Sequence, residues 1–226
     1  MIDWNPLLLT FKLAFITTVL LLIISIPLSY WLAYTRSRIK PIAETLVSMP
    51  LVLPPTVIGF YMLLAFSPSN AFGDWLDQWL GLRLVFSFEG LVLGSLIYSL
   101  PFMVHPIQAG FANLSPSLKN ASYVVGKSKV TTMIRVLLPN MKPSILTGLI
   151  LAFAHTIGEF GVVLMIGGNL SGKTKVASIA IYDEVESLNY AAANSYSLIL
   201  FGITFVILLL VYLVNGGYFT KFMSND

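Results

Sequence analysis

The sequence predicts an all-α integral membrane protein, one domain over residues 1–226 built on five membrane-crossing helices. Three observations lead there. Of the 226 residues, 57% are hydrophobic and 10% charged, whereas a soluble domain carries about 25% charged residues. Several apolar runs reach the roughly 20 residues that a bilayer crossing requires. The basic residues gather in alternate connections between those runs, as topology demands of a multi-pass chain. Mean hydropathy is +0.84. Cysteine is absent, which excludes disulfides and thiolate metal sites.

The first span is Leu7 to Tyr34, interrupted by Pro27. It is too long and too poor in N-terminal positive charge for a cleavable signal peptide. Lys12 near its start can snorkel to headgroups. The second span, Ala43 to Phe66, carries Pro50, Pro54 and Pro55. Asp74 to Arg83, with Trp75 and Trp79, is expected as an interfacial loop with aromatic anchors. Gly90 to about Gly110 forms the third span, Ser144 to Ile166 the fourth and Tyr196 to Val214 the fifth. Charges at Lys173, Lys175, Asp183, Glu184 and Glu186 argue against a sixth span between them. There, Val176, Ile179, Val185 and Leu188 predict a short helix resting on the outer surface.

Orientation follows from lysine and arginine placement. The 35–43 turn holds Arg36, Arg38 and Lys40, and the 111–142 stretch holds Lys119, Lys127, Lys129, Arg135 and Lys142. With Lys221 on the tail, nine of the thirteen basic residues fall on one side. That side is expected to be cytoplasmic, with the N-terminus outside and the C-terminus inside.

The most informative stretch is Lys119 to Pro139, KNASYVVGKSKVTTMIRVLLP. Ser115 and Pro116 supply an N-cap and a first helical residue. Gly126 permits a backbone break. Beyond it, Val130, Met133, Ile134 and Leu137 recur at i, i+3, i+4 and i+7, one apolar stripe, with Lys127, Lys129 and Arg135 around it. Pro139 is expected to stop the run. The residues alone fit either a lipid-surface anchor or a partner-binding pair of helices.

The same residues carry a family resemblance. Asn120, Ala121, Ser122, Gly126, Val136, Leu138 and Pro139 resemble the loop E-A-A-x(3)-G-x(9)-I-x-L-P of ABC importer permeases, with Asn120 in place of Glu and Ser122 in place of the second Ala. The resemblance implies coupling helices that seat in a cleft on a separate ATPase.

Two further runs point to a pathway. In MPLVLPPTVIGF, Met49 to Phe60, prolines 50, 54 and 55 are incompatible with an unbroken helix. Irregular backbone at membrane depth persists only where it is buried in protein or lines a watery cavity. The alternative is a merely kinked structural helix. In HTIGEFG, His155 to Gly161, Glu159 is the only acidic residue deep in an apolar span, and such groups are functional candidates. His155 lies one turn earlier and can pair with it, as a structural pair or as part of a gate. Two residues are too few for a metal site. Gly158 and Gly161 allow close helix approach. The LPLVLPP-like run and GEFG resemble molybdate-type permeases within the importer family.

GGNLSGKT, Gly167 to Thr174, fits the P-loop pattern, but that loop needs a strand before it and a helix after it. A membrane helix precedes it here, so a turn is expected. Nothing else has catalytic spacing, and the 13% aromatic content fits membrane belts better than nucleic-acid stacking. The expected partners are therefore membrane lipid and, by resemblance, a second copy of the chain, two cytoplasmic ABC ATPase subunits and an extracytoplasmic oxyanion-binding protein. ATP and magnesium would sit on the ATPase, with no cofactor on this chain. The implied function is import of molybdate, or alternatively of sulfate, tungstate or another small oxyanion, by alternating access across the cell membrane.

Overall fold

The computed structural model describes residues 3–215, and these are helical almost throughout. The expected C-terminal tail with Lys221 lies outside the described residues. Helix α1 (Asn5–Tyr34) runs through Pro27 without a break. Its buried stripe is small or hydroxylated: Thr10, Ala14, Thr17, Ser25 and Ser29, punctuated by Leu21 and Leu32. Small residues at this spacing let helix backbones approach inside a membrane, where apolar side chains gain nothing over lipid. The partner is α5 (Phe88–Asn113), and Ser29 Oγ donates to the Val104 carbonyl at 3.0 Å.

Between them lie α2 (Lys40–Val52), α3 (Pro55–Phe66) and α4 (Ala71–Leu80). Axes α2 and α3 bend by 113° at their junction, so the stretch Ala43–Phe66 does not cross as one rod. The stretch expected as an interfacial loop is instead the helix α4. It ends on Gly81 at φ 62°, and Trp75 and Trp79 stay exposed as interfacial anchors do.

After α5 come the short helices α6 (Pro116–Val124), α7 (Lys129–Thr132) and α8 (Leu138–Asn140), with a π-helical turn at Met133–Leu137 joining the last two. Pro139 therefore does not stop the run. A proline ring crowds the carbonyl four residues back, and the wider π turn relieves that crowding. The helix ends two residues later, at Met141 (φ −123°, ψ 22°).

The fourth span is also broken: α9 (Lys142–Gly158) and α10 (Gly161–Gly167) are separated at Glu159 and Phe160. Helix α11 (Ala177–Glu186) and the long α12 (Tyr190–Asn215) complete the described residues. Helix α11 does not rest on the surface. Val176, Ala177, Ile179 and Ala180 are buried, while Val185 and Leu188 of the expected apolar set are exposed. The Ala177 N–H donates to Thr10 Oγ1 of α1 at 2.8 Å.

Among the described residues three helices, α1, α5 and α12, are each long and apolar enough to cross a membrane alone. The two larger apolar clusters lie towards opposite ends of the bundle. One joins Leu13, Leu91, Val162, Ile166 and Ile179, and the other joins Leu21, Met103, Ile107, Phe111 and Leu137 nearer the α6–α8 end.

Candidate translocation gate and coupling site

A cavity of about 470 Å³ opens where the two broken helices meet. Pro55 and Thr56 of α3, Tyr98 of α5, Ala154, His155 and Gly158 of α9, and Glu159 to Gly161 line it. Four of the six predicted gate residues thus share one site: Pro55, Gly158, Glu159 and Gly161. Pro54 stands exposed at the break and Pro50 is buried within α2; neither lines the cavity.

The first break is written in prolines. Leu53 is extended (φ −73°, ψ 137°), as the residue before a proline prefers. Pro55 then takes the first helical position, where its missing N–H costs nothing. At the second break Glu159 is extended (φ −70°, ψ 136°) with no proline following. Its carbonyl is taken by Ser178 Oγ of α11 at 2.7 Å.

Close packing fixes the walls. A Cβ on Gly161 would stand 2.6 Å from Pro55 Cβ, and one on Gly59 would stand 2.6 Å from Met165 Cβ. Glycines at these points bring α3 and α10 together. Gly158 does not share that role, since the space beside it is open.

The expected His155–Glu159 pair does not form, because Glu159 leaves the helix before the turn that would align them is complete. His155 Nδ1 instead bonds Ser99 Oγ at 2.9 Å, and its ring stacks on Phe102 at 4.0 Å. Ser99 Oγ also meets Thr156 Oγ1 at 3.0 Å, and that hydroxyl donates to the Ala152 carbonyl. A polar relay therefore ties α5 to α9. The Glu159 side chain is 5% exposed, and neither carboxyl oxygen has a hydrogen-bond partner among the described residues. Ser95 of α5 approaches it without a well-formed bond. Ser99 and Ser178 were not singled out from sequence; isolated serines in apolar runs give no signal until their partners are known.

At the other end, α6 and α7 form the predicted hinged pair. Ser115 Oγ caps α6, Gly126 sits at φ 76°, and Ser128 Oγ caps α7. Asn120 and Ala121 face solvent, Ser122 is buried, Val136 and Leu138 are half-buried and Pro139 is exposed. Ser122 Oγ bonds Thr132 Oγ1 at 2.8 Å, both buried, clasping the two helices. Thr132 was legible only through that contact. The predicted apolar stripe divides: Leu137 is buried, while Val130 and Ile134 are exposed beside Val124 and Val125, the latter two at 89% and 72%. Exposed aliphatic residues interspersed in sequence with Lys127, Lys129 and Arg135 are the form of a surface that meets a protein partner or a membrane.

The turn after α10 is not a phosphate cradle. The Lys173, Thr174 and Lys175 N–H groups all donate to the Leu170 carbonyl, and the buried Thr174 hydroxyl donates to the Gly167 carbonyl. The acidic cluster nearby is largely engaged. Asp183 pairs with Lys175 and accepts from Asn169 Nδ2, and Glu184 accepts from Asn189 Nδ2.

Residues 25–221 match the family described as binding-protein-dependent transport system inner membrane component. The chain belongs to this family. It is a multi-pass membrane protein and a transport component. The molybdenum transport system permease protein ModB of Azotobacter vinelandii is 46% identical over 193 residues, covering 85% of each chain. The sulfate transport system permease protein CysT of Escherichia coli is 28% identical, covering 80% of this chain and 65% of that one. Among solved structures, a bacterial ABC transporter involved in import of the acidic polysaccharide alginate superposes with a TM-score of 0.78. It is 16% identical, over 93% of this chain and 78% of that one. That likeness establishes the permease fold.

Proposed function

We propose that this chain is the membrane permease of an ATP-driven molybdate importer. The observation that carries the reading is the 46% identity to the Azotobacter vinelandii molybdenum permease across 85% of both chains. The sulfate permease stands at 28%, and sulfate, tungstate or another small oxyanion is the rival substrate. In this reading five spans form a single domain: α1, the bent α2–α3 pair, α5, α9 continued by α10, and α12. The N-terminus is outside and the C-terminus cytoplasmic.

Two copies pair around the pathway and meet two cytoplasmic ATPases, which bind ATP and magnesium. An extracytoplasmic binding protein delivers the oxyanion. The tip at Val124, Val125, Val130 and Ile134, with Asn120, Ala121 and Gly126 beside it, seats on the ATPase. The cavity at Pro55, Gly158, Glu159 and Gly161 is the gate, in which Glu159 sets the backbone break rather than binding the anion. Alternating access requires nucleotide and receptor to favour different states, because a ligand with equal affinity for both shifts nothing.

The test is uptake of labelled molybdate against labelled sulfate in cells lacking their own permeases, with and without Ala121→Trp and Gly126→Val. Molybdate uptake lost in both variants is expected. Preferred sulfate uptake would transfer the chain to the rival substrate, and uptake indifferent to both replacements would remove the coupling role.

A further inference from the structure

We propose that Lys119 is a positioning residue that fastens the coupling helices to the membrane bundle by lodging its ammonium among the aromatic rings at the end of α1. The inference rests on the coupling reading above.

Lys119 Nζ lies 4.1 Å from the Tyr34 ring centroid and 5.6 Å from that of Tyr30. The two tyrosines meet edge to face at 4.9 Å, and each packs against Phe111 of α5, at 5.4 Å from Tyr30 and 6.1 Å from Tyr34. Tyr34 Oη donates to the Phe111 carbonyl at 3.0 Å, pinning α1 to α5 at the residue where α5 is about to end. Tyr123, one turn beyond Lys119 on the same face of α6, stands beside Tyr30 and Tyr34. The receptacle is thus built from α1 and α5, the most extensively packed helix pair among the described residues, and the cation comes from α6.

No acidic side chain pairs with Lys119 among the described residues, so the ring faces are its defining contact. A cation is drawn to the faces of aromatic rings, the more so when shielded from water, and tyrosines of this kind hold their place at a membrane surface. The Ser122–Thr132 clasp makes α6 and α7 one body. A pull on that body reaches the bundle through its covalent links to α5 and, by way of α8, to α9, and Lys119 adds a direct grip of α6 on the end of α1. Without the cation, α6 would still present its docking tip but would hold the end of α1 less firmly.

The test uses the permease co-expressed with its ATPase, purified, and placed in proteoliposomes with binding protein and labelled molybdate. Lys119→Met and Tyr34→Leu are expected to retain the ATPase through purification yet to lower molybdate imported per ATP hydrolysed by about tenfold, a loss on the scale of a shielded cation–π contact. Lys119→Arg and Tyr34→Phe should stay within about twofold, since each keeps the cation or the ring. A Lys119→Met complex that imports as much per ATP as the wild type overturns the proposal. Val124→Asp tests the underlying reading separately: loss of the ATPase on purification upholds docking at the tip. Retention of the ATPase there refutes docking, whatever Lys119 does.

Discussion

The two broken helices that meet at the cavity reach the same outcome by different means. Between α2 and α3 the chain leaves the helix because Pro54 and Pro55 forbid it to continue. Between α9 and α10 no residue forbids continuation. Glu159 and Phe160 are held out of helical geometry by what surrounds them: the Ser178 hydroxyl on the Glu159 carbonyl and the close seating of Gly161 against Pro55. The first break is local and rigid. The second is tertiary, and an element outside the span, α11, holds one of its ends. In the proposed gate one wall must stay and one must yield, and the difference between the breaks suits them to those parts.

The largest effect should come from filling the contact between the breaks. Gly161→Leu drives side-chain atoms into Pro55 and the Thr56 backbone, 2.6 and 3.3 Å from the added Cβ. Overpacking of this kind costs about 1–3 kcal/mol. Molybdate uptake is expected to be lost, and the thermal midpoint of the detergent-purified chain should fall. A filled Gly158 faces open space, so Gly158→Ala should leave the thermal midpoint close to wild type. Equal damage at 158 and 161 would mean that the α3–α10 contact is not what shapes the site.

Next in size is Glu159. Its two carboxyl oxygens are buried without hydrogen-bond partners among the described residues, and an unsatisfied buried polar group costs about 1–3 kcal/mol. Glu159→Leu is therefore expected to raise the thermal midpoint while abolishing uptake, the trade found where function is maintained against stability. Glu159→Gln should fall between. A Leu variant that loses both stability and uptake would show that the carboxyl has a structural partner in the assembled transporter.

The contrast between the breaks also explains what could be read from the sequence. Proline at 54 and 55 and glycine at 126 act through their own backbone chemistry, so the α2–α3 break and the hinge between α6 and α7 were both visible. Four of the six residues expected at a gate line one cavity, but their pairing could not be read from the sequence. The expected His155–Glu159 contact assumed an uninterrupted helix, and the interruption depends on Ser178, nineteen positions away. Likewise Pro139 reads as a stop only if the helix keeps its α pitch, and the π turn at Met133–Leu137 depends on how α7 packs. Helix α11 was placed on the surface because its charges exclude a crossing. They do not exclude a helix whose first turn is buried and whose last turn is wet. Periodicity reports which residues share a face, not how deep that face lies.

The two breaks separate further on removal of one hydroxyl. Ser178→Ala leaves the Glu159 carbonyl without its side-chain donor, at a cost of about 1–3 kcal/mol if water cannot replace it. Hydrogen exchange over residues 159–165 is expected to speed up while residues 53–58 keep their protection, because nothing from α11 supports the proline break. Faster exchange at both breaks would show that they open as one unit.

The smallest effect is a matter of pH, and it acts on the same tether from the other end. Burial works to raise the Asp183 carboxyl, but the Lys175 ammonium and the Asn169 amide outweigh it and hold the group below its ordinary range. A depressed carboxyl stabilises the folded turn at pH values above the ordinary carboxylate value of about 4. That contribution fades as pH falls through the lower, folded value. Acidification should therefore loosen the 167–176 turn and the start of α11, which holds Ser178, before it touches the α2–α3 break. Because the pair is partly exposed, the effect is modest and weakens in salt. Limited proteolysis of the turn across an acid titration measures it, with Asp183→Asn expected to cut as readily at neutral pH as the wild type does in acid. A turn equally resistant in Asp183→Asn would show that α11 is held by its buried apolar face and the Thr10 and Ser178 contacts without the ion pair, and that the yielding wall of the proposed gate has no electrostatic support.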